Sequence, residues 1–170
     1  MSNVKVKVCG LSNPEMVKQL VKLELDFIGF IFYKKSPRYV SNQIAKNLLN
    51  IDFSNTRPVC VYVNPTKDYV LETSSYFDNP ILQFHGEEPE SFCNSFNLEY
   101  WKAIRVKNSS SFAEILSYQS AKAILLENHK DGLYGGTGEA FDWPLIKGHD
   151  HQNKKIILSG GINIENVDNA

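Results

Sequence analysis

Seven short apolar runs, at residues 4–9, 28–32, 59–63, 81–84, 101–104, 123–126 and 155–158, have starts 24, 31, 22, 20, 22 and 32 residues apart. Antiparallel strands can be joined by two residues, whereas parallel strands need a crossover of about a dozen or more. Intervals of this length, filled by helical patterns, predict strand–helix units with parallel strands. The first interval shows the pattern best: in "NPEMVKQLVKLEL", Met16, Val17, Leu20, Val21 and Leu23 recur at helical spacing. Weaker helical patterns occupy 42–50, 66–76, 89–96, 111–118, 143–147 and 163–169. Helix starts are marked by Ser12 with Glu15 as a capping box, by Pro14 in a first turn, and by Asp142 and Asn163 as N-caps.

Repeated strand–helix units build either an open doubly wound sheet or a closed (β/α)8 TIM barrel. A dinucleotide-binding sheet wants G-x-G-x-x-G after its first strand, and "CGLSNP" lacks it. The barrel is therefore the expected fold class, with only seven βα units visible. Such barrels rarely use fewer than about 200 residues, and this chain has 170. The expectation is one barrel domain over 1–170, C-terminally incomplete, whose eighth strand and helix belong to a longer natural protein.

Eighteen basic and 19 acidic residues are well mixed, giving a formal net charge of −1. That balance leaves no electrostatic footprint for nucleic acid and no basic tract for a membrane surface. The longest apolar run, "FIGFIF" at 27–32, is far short of the roughly 20 residues that span a bilayer. "MSNVKVKV" has no signal-peptide core. Cys9, Cys60 and Cys93 make an odd count without paired spacing, which argues against a disulfide scaffold or a zinc site. A reducing, cytoplasmic location is expected.

In "VKVKVCGLSNPE" the valines at 4, 6 and 8 share one parity, and Lys5, Lys7 and Cys9 share the other. A thiol thus stands at the tip of the first strand, on the same face as Lys7. A lone cysteine is more often a small buried hydrophobe, the reading given to Cys60 and Cys93. A thiol ordinarily ionises near about pH 8.5, and a cation or helix N-terminus beside it favours the thiolate. Gln83 and His85 in "LQFHG" alternate onto one face at the fourth strand's end. "SGGIN" (159–163) follows the seventh strand with adjacent glycines whose N–H groups are able to approach a phosphate, or which simply make a tight turn. "GGTGEA" (135–140) is a candidate lid and no nucleotide loop, because no G-K-[ST] follows. His129, His149 and His151 read as solvated loop residues.

The motifs "KVCGLSNPE", "FIGFIFYKKSPRYVS", "VCVYVNP", "LQFHGEEPE", "LYGGTGEAFDW" and "LSGGINIENV", in this order and spacing, resemble the phosphoribosylanthranilate isomerase family from residue 4 to the end. The resemblance implies a small (β/α)8 barrel of tryptophan synthesis, with a phosphorylated small-molecule substrate and no cofactor or metal, as a monomer or homodimer. The implied reaction is an Amadori rearrangement that needs one acid and one base on opposite sides of a sugar. Cys9 takes the base position. The acid position, an aspartate in the family, matches Glu127 in "AILLENHKDG", with Asp131 as the alternative. Glutamate carries its carboxyl roughly 1.5 Å further out. Arg38 in "SPRYV" matches the binder of the anthranilate carboxylate, and Gln83, His85, Gly160 and Gly161 complete the expected substrate contacts. The departure at Glu127 and the missing eighth unit keep a second reading open, a non-catalytic sugar-phosphate-binding barrel or fragment. A related indole-glycerol-phosphate synthase would want a catalytic lysine that "KVCG" does not supply.

Overall fold

The computed structural model describes residues 4–132, 134–136, 138–149, 151 and 153–169. The chain divides into two compact units, Met1–Gln83 and Phe84–Ala170.

The first unit runs β1 (Lys7–Cys9), α1 (Pro14–Val21), β2 (Phe27–Ile31), α2 (Asn42–Leu48), β3 (Arg57–Tyr62), α3 (Lys67–Ser74) and β4 (Ile81–Phe84), whose last residue opens the second unit. Strands follow the order β1-β2-β3-β4, with β1 parallel to β2 and β2 parallel to β3. The register sets Lys7 beside Phe27 and Cys9 beside Gly29. β1 is shorter than its alternating pattern because Asp26 Oδ2 takes the Val6 N–H at 2.9 Å, so the ladder starts at Lys7. β2 and β3 are buried almost throughout, as strands covered on both faces must be. Aromatic residues of and beside these strands pack in a cluster: Phe30 stacks on Phe77 at 4.9 Å and Phe32 on Tyr62 at 5.7 Å. The Tyr62 hydroxyl meets Thr73 Oγ1 at 2.8 Å, so the buried phenol has the polar partner that its burial requires.

The expected capping box at Ser12 is replaced by Asn13, whose side chain accepts from Glu15 N (2.9 Å) and Met16 N (3.3 Å). Pro14 fixes the first helical position as expected and so hands the cap to the residue before it. Glu15 pairs instead with Lys18 at 2.8 Å. Of the apolar stripe, Val17 is buried while Met16 and Leu23 are exposed. α1 ends before Leu23, and Glu24 turns the chain at a φ of 53°.

The second unit runs from the end of β4 through α4 (Glu90–Cys93), β5 (Tyr100–Val106), β6 (Ala123–Asn128) and β7 (Lys155–Leu158), with β5-β6-β7 in parallel order. Short 3-10 helices occupy Asn94–Phe96, Ser109–Ser117, Trp143–Ile146 and Val167–Asn169. Two of these, Trp143–Ile146 and Val167–Asn169, are shorter than the helical patterns expected at 143–147 and 163–169, while Ser109–Ser117 is as long as the pattern expected at 111–118 but wound as a 3-10 helix. At 163–169 the asparagines explain the difference. Asn163 Oδ1 accepts from Glu165 N at 2.9 Å, and Asn166 bonds Asn163 N at 2.8 Å and Gly161 O at 2.8 Å. Side chains that bond nearby backbone compete with the helical ladder. Asp142 stands at the start of its 3-10 helix but makes no side-chain cap bond.

Glu90 anchors α4 to the rest of this unit. Burial works against its ionisation, yet hydrogen bonds from the Tyr100 hydroxyl and Ser120 N, with Lys154 nearby, hold its carboxyl below the usual range. A depressed carboxyl stabilises the fold above the ordinary carboxylate range and loses that contribution as pH falls through its folded value. Glu90→Gln is therefore predicted to cost about 1 kcal/mol at pH 7, with the gap to the parent closing toward pH 3 in urea-unfolding midpoints.

No helix among the described residues is long and apolar enough to cross a membrane. Nor does any cluster of three or more described His, Cys, Asp or Glu side chains stand ready to hold a metal ion.

Candidate active site

Cys9 is the last residue of β1, and its environment is set by Gly29 on the neighbouring strand. The two are register partners, and both Gly10 N (2.9 Å) and Leu11 N (3.3 Å) donate to the Gly29 carbonyl, which fixes the turn after the thiol. A methyl group built on Gly29 would stand 2.6 Å from Cys9 Sγ and 3.1 Å from Lys7 Nζ. Gly29 thus leaves a hollow that thiol and ammonium share, the arrangement expected from their common strand face. Cys9 is half-buried, not sealed in the core.

Arg38 packs on the turn that follows the thiol. Its Nη1 donates to the Cys9 carbonyl at 3.0 Å, and its side chain lies so close over Gly10 that a Cβ there would fall 2.7 Å from Arg38 Cδ. Gly10 also holds a φ of +88°, which side chains rarely adopt. Arg38 itself is exposed. The expected base and the expected carboxylate binder therefore meet at one strand tip. Gln83, also expected at the site, is buried in β4.

The other two cysteines are buried in the structure, and burial pushes each thiol up to about 12. Native protein treated with a thiol reagent at pH 7.5 is predicted to label at Cys9 alone, with Cys60 and Cys93 reacting only after unfolding; peptide mass mapping reads this directly.

In the second unit, Glu127 lies near the end of β6 and is 5 % exposed. A carboxyl so buried needs a partner, and the His85 ring supplies it: Nδ1 is 3.2 Å from Oε1. His85 is 8 % exposed, directly after β4. The loop beyond β6 comes down on this pair. A Cβ on Gly135 would stand 3.0 Å from Glu127 Oε2 and 3.4 Å from His85 Nδ1, so backbone meets carboxyl where a side chain would not fit. Leu133 and Thr137 of the same glycine-rich run lie outside the described residues. Asp131, the alternative acid, is 98 % exposed at its side chain and bonds His129 Nε2 at 3.0 Å.

Arg105, which no motif singles out, stands beside the candidate acid. It is the register partner of Glu127 on β5, so their side chains leave the same face. Its guanidinium binds Glu87 at 2.5 Å and stacks on the Tyr134 ring at 4.6 Å. A cavity of about 250 Å³ opens beside it, lined by Glu87, Arg105, Lys107 and His129 among others. Two charged residues, Lys102 and Arg105, in the short run "WKAIRV" were the available signal.

Gly160 and Gly161 follow β7, and the chain packs on them: a Cβ on Gly161 would come within 2.6 Å of the Glu139 carbonyl carbon. The turn after them is tied by Asn166, not by a regular helix. The histidines expected in solvent are half-buried instead. His149 stacks on Phe112 at 4.4 Å, and His151 Nε2 bonds the Ile146 carbonyl at 3.1 Å.

The family model described as N-(5'phosphoribosyl)anthranilate (PRA) isomerase matches residues 6–170. The N-(5'-phosphoribosyl)anthranilate isomerase of Nitrosomonas europaea is 38 % identical over 168 residues, 98 % of this chain and 79 % of that protein. The crystal structure of phosphoribosyl anthranilate isomerase from Thermotoga maritima, a protein also described as dimeric, superposes with a TM-score of 0.83 at 34 % identity. That match covers 98 % of this chain and 81 % of the other. A phosphoribosyl anthranilate isomerase in complex with reduced 1-(o-carboxyphenylamino)-1-deoxyribulose 5-phosphate gives 0.80 at 33 % identity, covering 98 % and 80 %. The fold class is that of the (β/α)8 barrel, with seven strands among the described residues.

Proposed function

Because the chain belongs to the N-(5'-phosphoribosyl)anthranilate isomerase family, we propose that Cys9 is the base and Glu127 the acid of its Amadori rearrangement. The enzyme converts N-(5'-phosphoribosyl)anthranilate to 1-(2-carboxyphenylamino)-1-deoxyribulose 5-phosphate in tryptophan biosynthesis. The observation that carries the assignment is the half-exposed thiol at the end of β1, sharing the hollow over Gly29 with the Lys7 ammonium, while the Arg38 guanidinium holds the same residue's carbonyl. Active sites of these barrels lie at the C-terminal ends of the strands.

Glu127 protonates the furanose ring oxygen, the bond from that oxygen to C1 breaks, and the nitrogen lone pair forms the C1=N bond of a protonated Schiff base. The Cys9 thiolate then takes the C2 proton, and the released electron pair makes C1=C2 while neutralising the nitrogen. The enolamine gains a proton at C1 and loses its C2 hydroxyl proton, giving the ketone. No electron acceptor is required. Lys7 places positive charge where the sulfur must be anionic. Arg38 holds the anthranilate carboxylate through the donors it does not spend on the Cys9 carbonyl, a match of planar fork to planar acid. His85 holds Glu127 in place, and Gln83 contributes a substrate contact. Gly160 and Gly161 offer backbone N–H groups to the phosphate. The reaction takes place in the cytoplasm, in a monomer or homodimer.

Adding purified protein to N-(5'-phosphoribosyl)anthranilate tests this reading, since anthranilate fluorescence reports substrate loss. A catalysed, saturable decay is expected. Decay at the uncatalysed rate, with substrate or product analogue still bound, would favour the binding-protein reading instead.

A further inference from the structure

Lys102 is wholly buried in β5, yet it plays no part in the chemistry above. Lysines are almost never fully buried unless paired. The partner is Glu88, whose Oε2 is 3.1 Å from Nζ, while Gly86 O accepts from the same nitrogen at 2.5 Å. Glu88 Oε1 in turn accepts from Gly86 N at 3.2 Å. The Tyr118 ring lies 5.2 Å from the ammonium, and its hydroxyl donates to the Glu88 carbonyl at 3.0 Å. Cys93 Sγ lies 3.7 Å from that same carbonyl. All these contacts converge on residues 86–88, the three that follow His85.

By strand alternation Lys102 leaves β5 on the face opposite to Arg105 and its register partner Glu127. It therefore does not touch the acid. A buried ion pair is weak evidence for stability, because well-packed apolar residues often serve the fold as well or better. What it supplies here is direction. Two donors and acceptors of defined geometry pin a short loop that an apolar contact would leave free to slide.

We propose that Lys102, acting through Glu88 and the Gly86 carbonyl, is a positioning residue that holds His85 against Glu127. The proposal deepens the assignment of Glu127 as the acid and rests on it. The 3.2 Å bond between His85 and Glu127 is made by a side chain whose backbone runs directly into residues 86–88, the segment that this buried pair holds. Slackening 86–88 lets the imidazole drift and the acid with it, and a misplacement of about 1 Å can cost a hundredfold in rate.

The test replaces the pair in one step, as Lys102→Met with Glu88→Met, and separately as Lys102→Arg. The double variant is expected to keep its thermal midpoint, as buried ion pairs exchanged for apolar residues commonly do. Its kcat should fall at least about tenfold with KM nearly unchanged, and adding His85→Ala should cost little more. Lys102→Arg keeps the charge but moves the donor, so it should lower kcat in the same way, and it supplies the kinetic reading if the double variant does not fold. Ring-nitrogen NMR of protein labelled with 15N-histidine reads the His85 hydrogen bond without turnover. The signal that Glu127→Gln shifts should shift likewise in the folded Lys102 variants. Unchanged kcat and an unchanged His85 signal in either folded variant would overturn the proposal. If the parent protein shows no isomerase turnover, the functional assignment fails by itself, and the NMR comparison still decides whether Lys102 holds His85.

Discussion

Cys9→Ala is expected to lower kcat by about 10²- to 10⁴-fold, the range a positioned general base supplies, while the circular dichroism spectrum and unfolding midpoint stay close to the parent's. Cys9→Ser should lose about as much, because a hydroxyl at the same place is too weak an acid to stand ionised as a base. The fold is predicted to tolerate both changes for a local reason. The residue is half-buried at a strand end, and the ladder there runs through the backbone of Gly29, Gly10 and Leu11, which neither substitution alters. KM should move little, since Arg38 reaches the Cys9 carbonyl and not its sulfur. Steady-state kinetics by anthranilate fluorescence beside thermal melts separates these outcomes. A Cys9→Ala variant that turns over near the parent rate would remove the base from the mechanism.

The second large effect belongs to the acid. Glu127→Gln keeps the shape and can still share a hydrogen bond with His85, but it has no proton to give, so kcat is expected to fall about 10²- to 10⁴-fold. Glu127→Asp retains the proton on a stem shorter by roughly 1.5 Å and should fall between parent and Gln variant, having lost the reach to His85. Asp131→Asn should be close to neutral, because that carboxylate is fully in solvent on a loop and bonded to His129. The three variants measured side by side distinguish the two carboxylates. A neutral Glu127→Gln with a damaging Asp131→Asn would move the acid to the loop.

Much of this architecture was legible in the chain itself, and the reasons differ from element to element. β4 and β7 match their apolar runs residue for residue, because short strands are bounded by turn residues on both sides. The β1 start was misread, since nothing in "VKVKV" reveals that Asp26, some twenty residues later, takes the first ladder position. The cap moved from Ser12 to Asn13 because Pro14 decides which residue stands outside the helix. At 163–169 an apolar period was present, but Asn163 and Asn166 had better uses for the backbone.

The candidate site was legible in its strand tips and opaque in its pairings. Strand-tip position and motif picked out Cys9, Arg38, His85 and Glu127. Their partners come from contacts remote in sequence: Arg38 on the Cys9 carbonyl is 29 residues away, and His85 on Glu127 is 42. Gly29 carried no signal at all, being a glycine inside "FIGFIF" whose role appears only when Lys7 and Cys9 are seen to share its hollow. Lys102 and Arg105 were visible as charges in an apolar strand, the mark of buried polar residues that need assigned partners.

The central claim is that one sulfur removes one carbon-bound proton, and substrate carrying deuterium at C2 of the ribose measures this most directly. The parent enzyme should show a primary isotope effect on kcat, or release the label to solvent during turnover. Cys9→Ala, given time and enzyme enough to be assayed, should release none above the uncatalysed rate. Label loss in that variant at the parent's rate would mean that another group takes the proton, and the account built on Cys9 would be wrong.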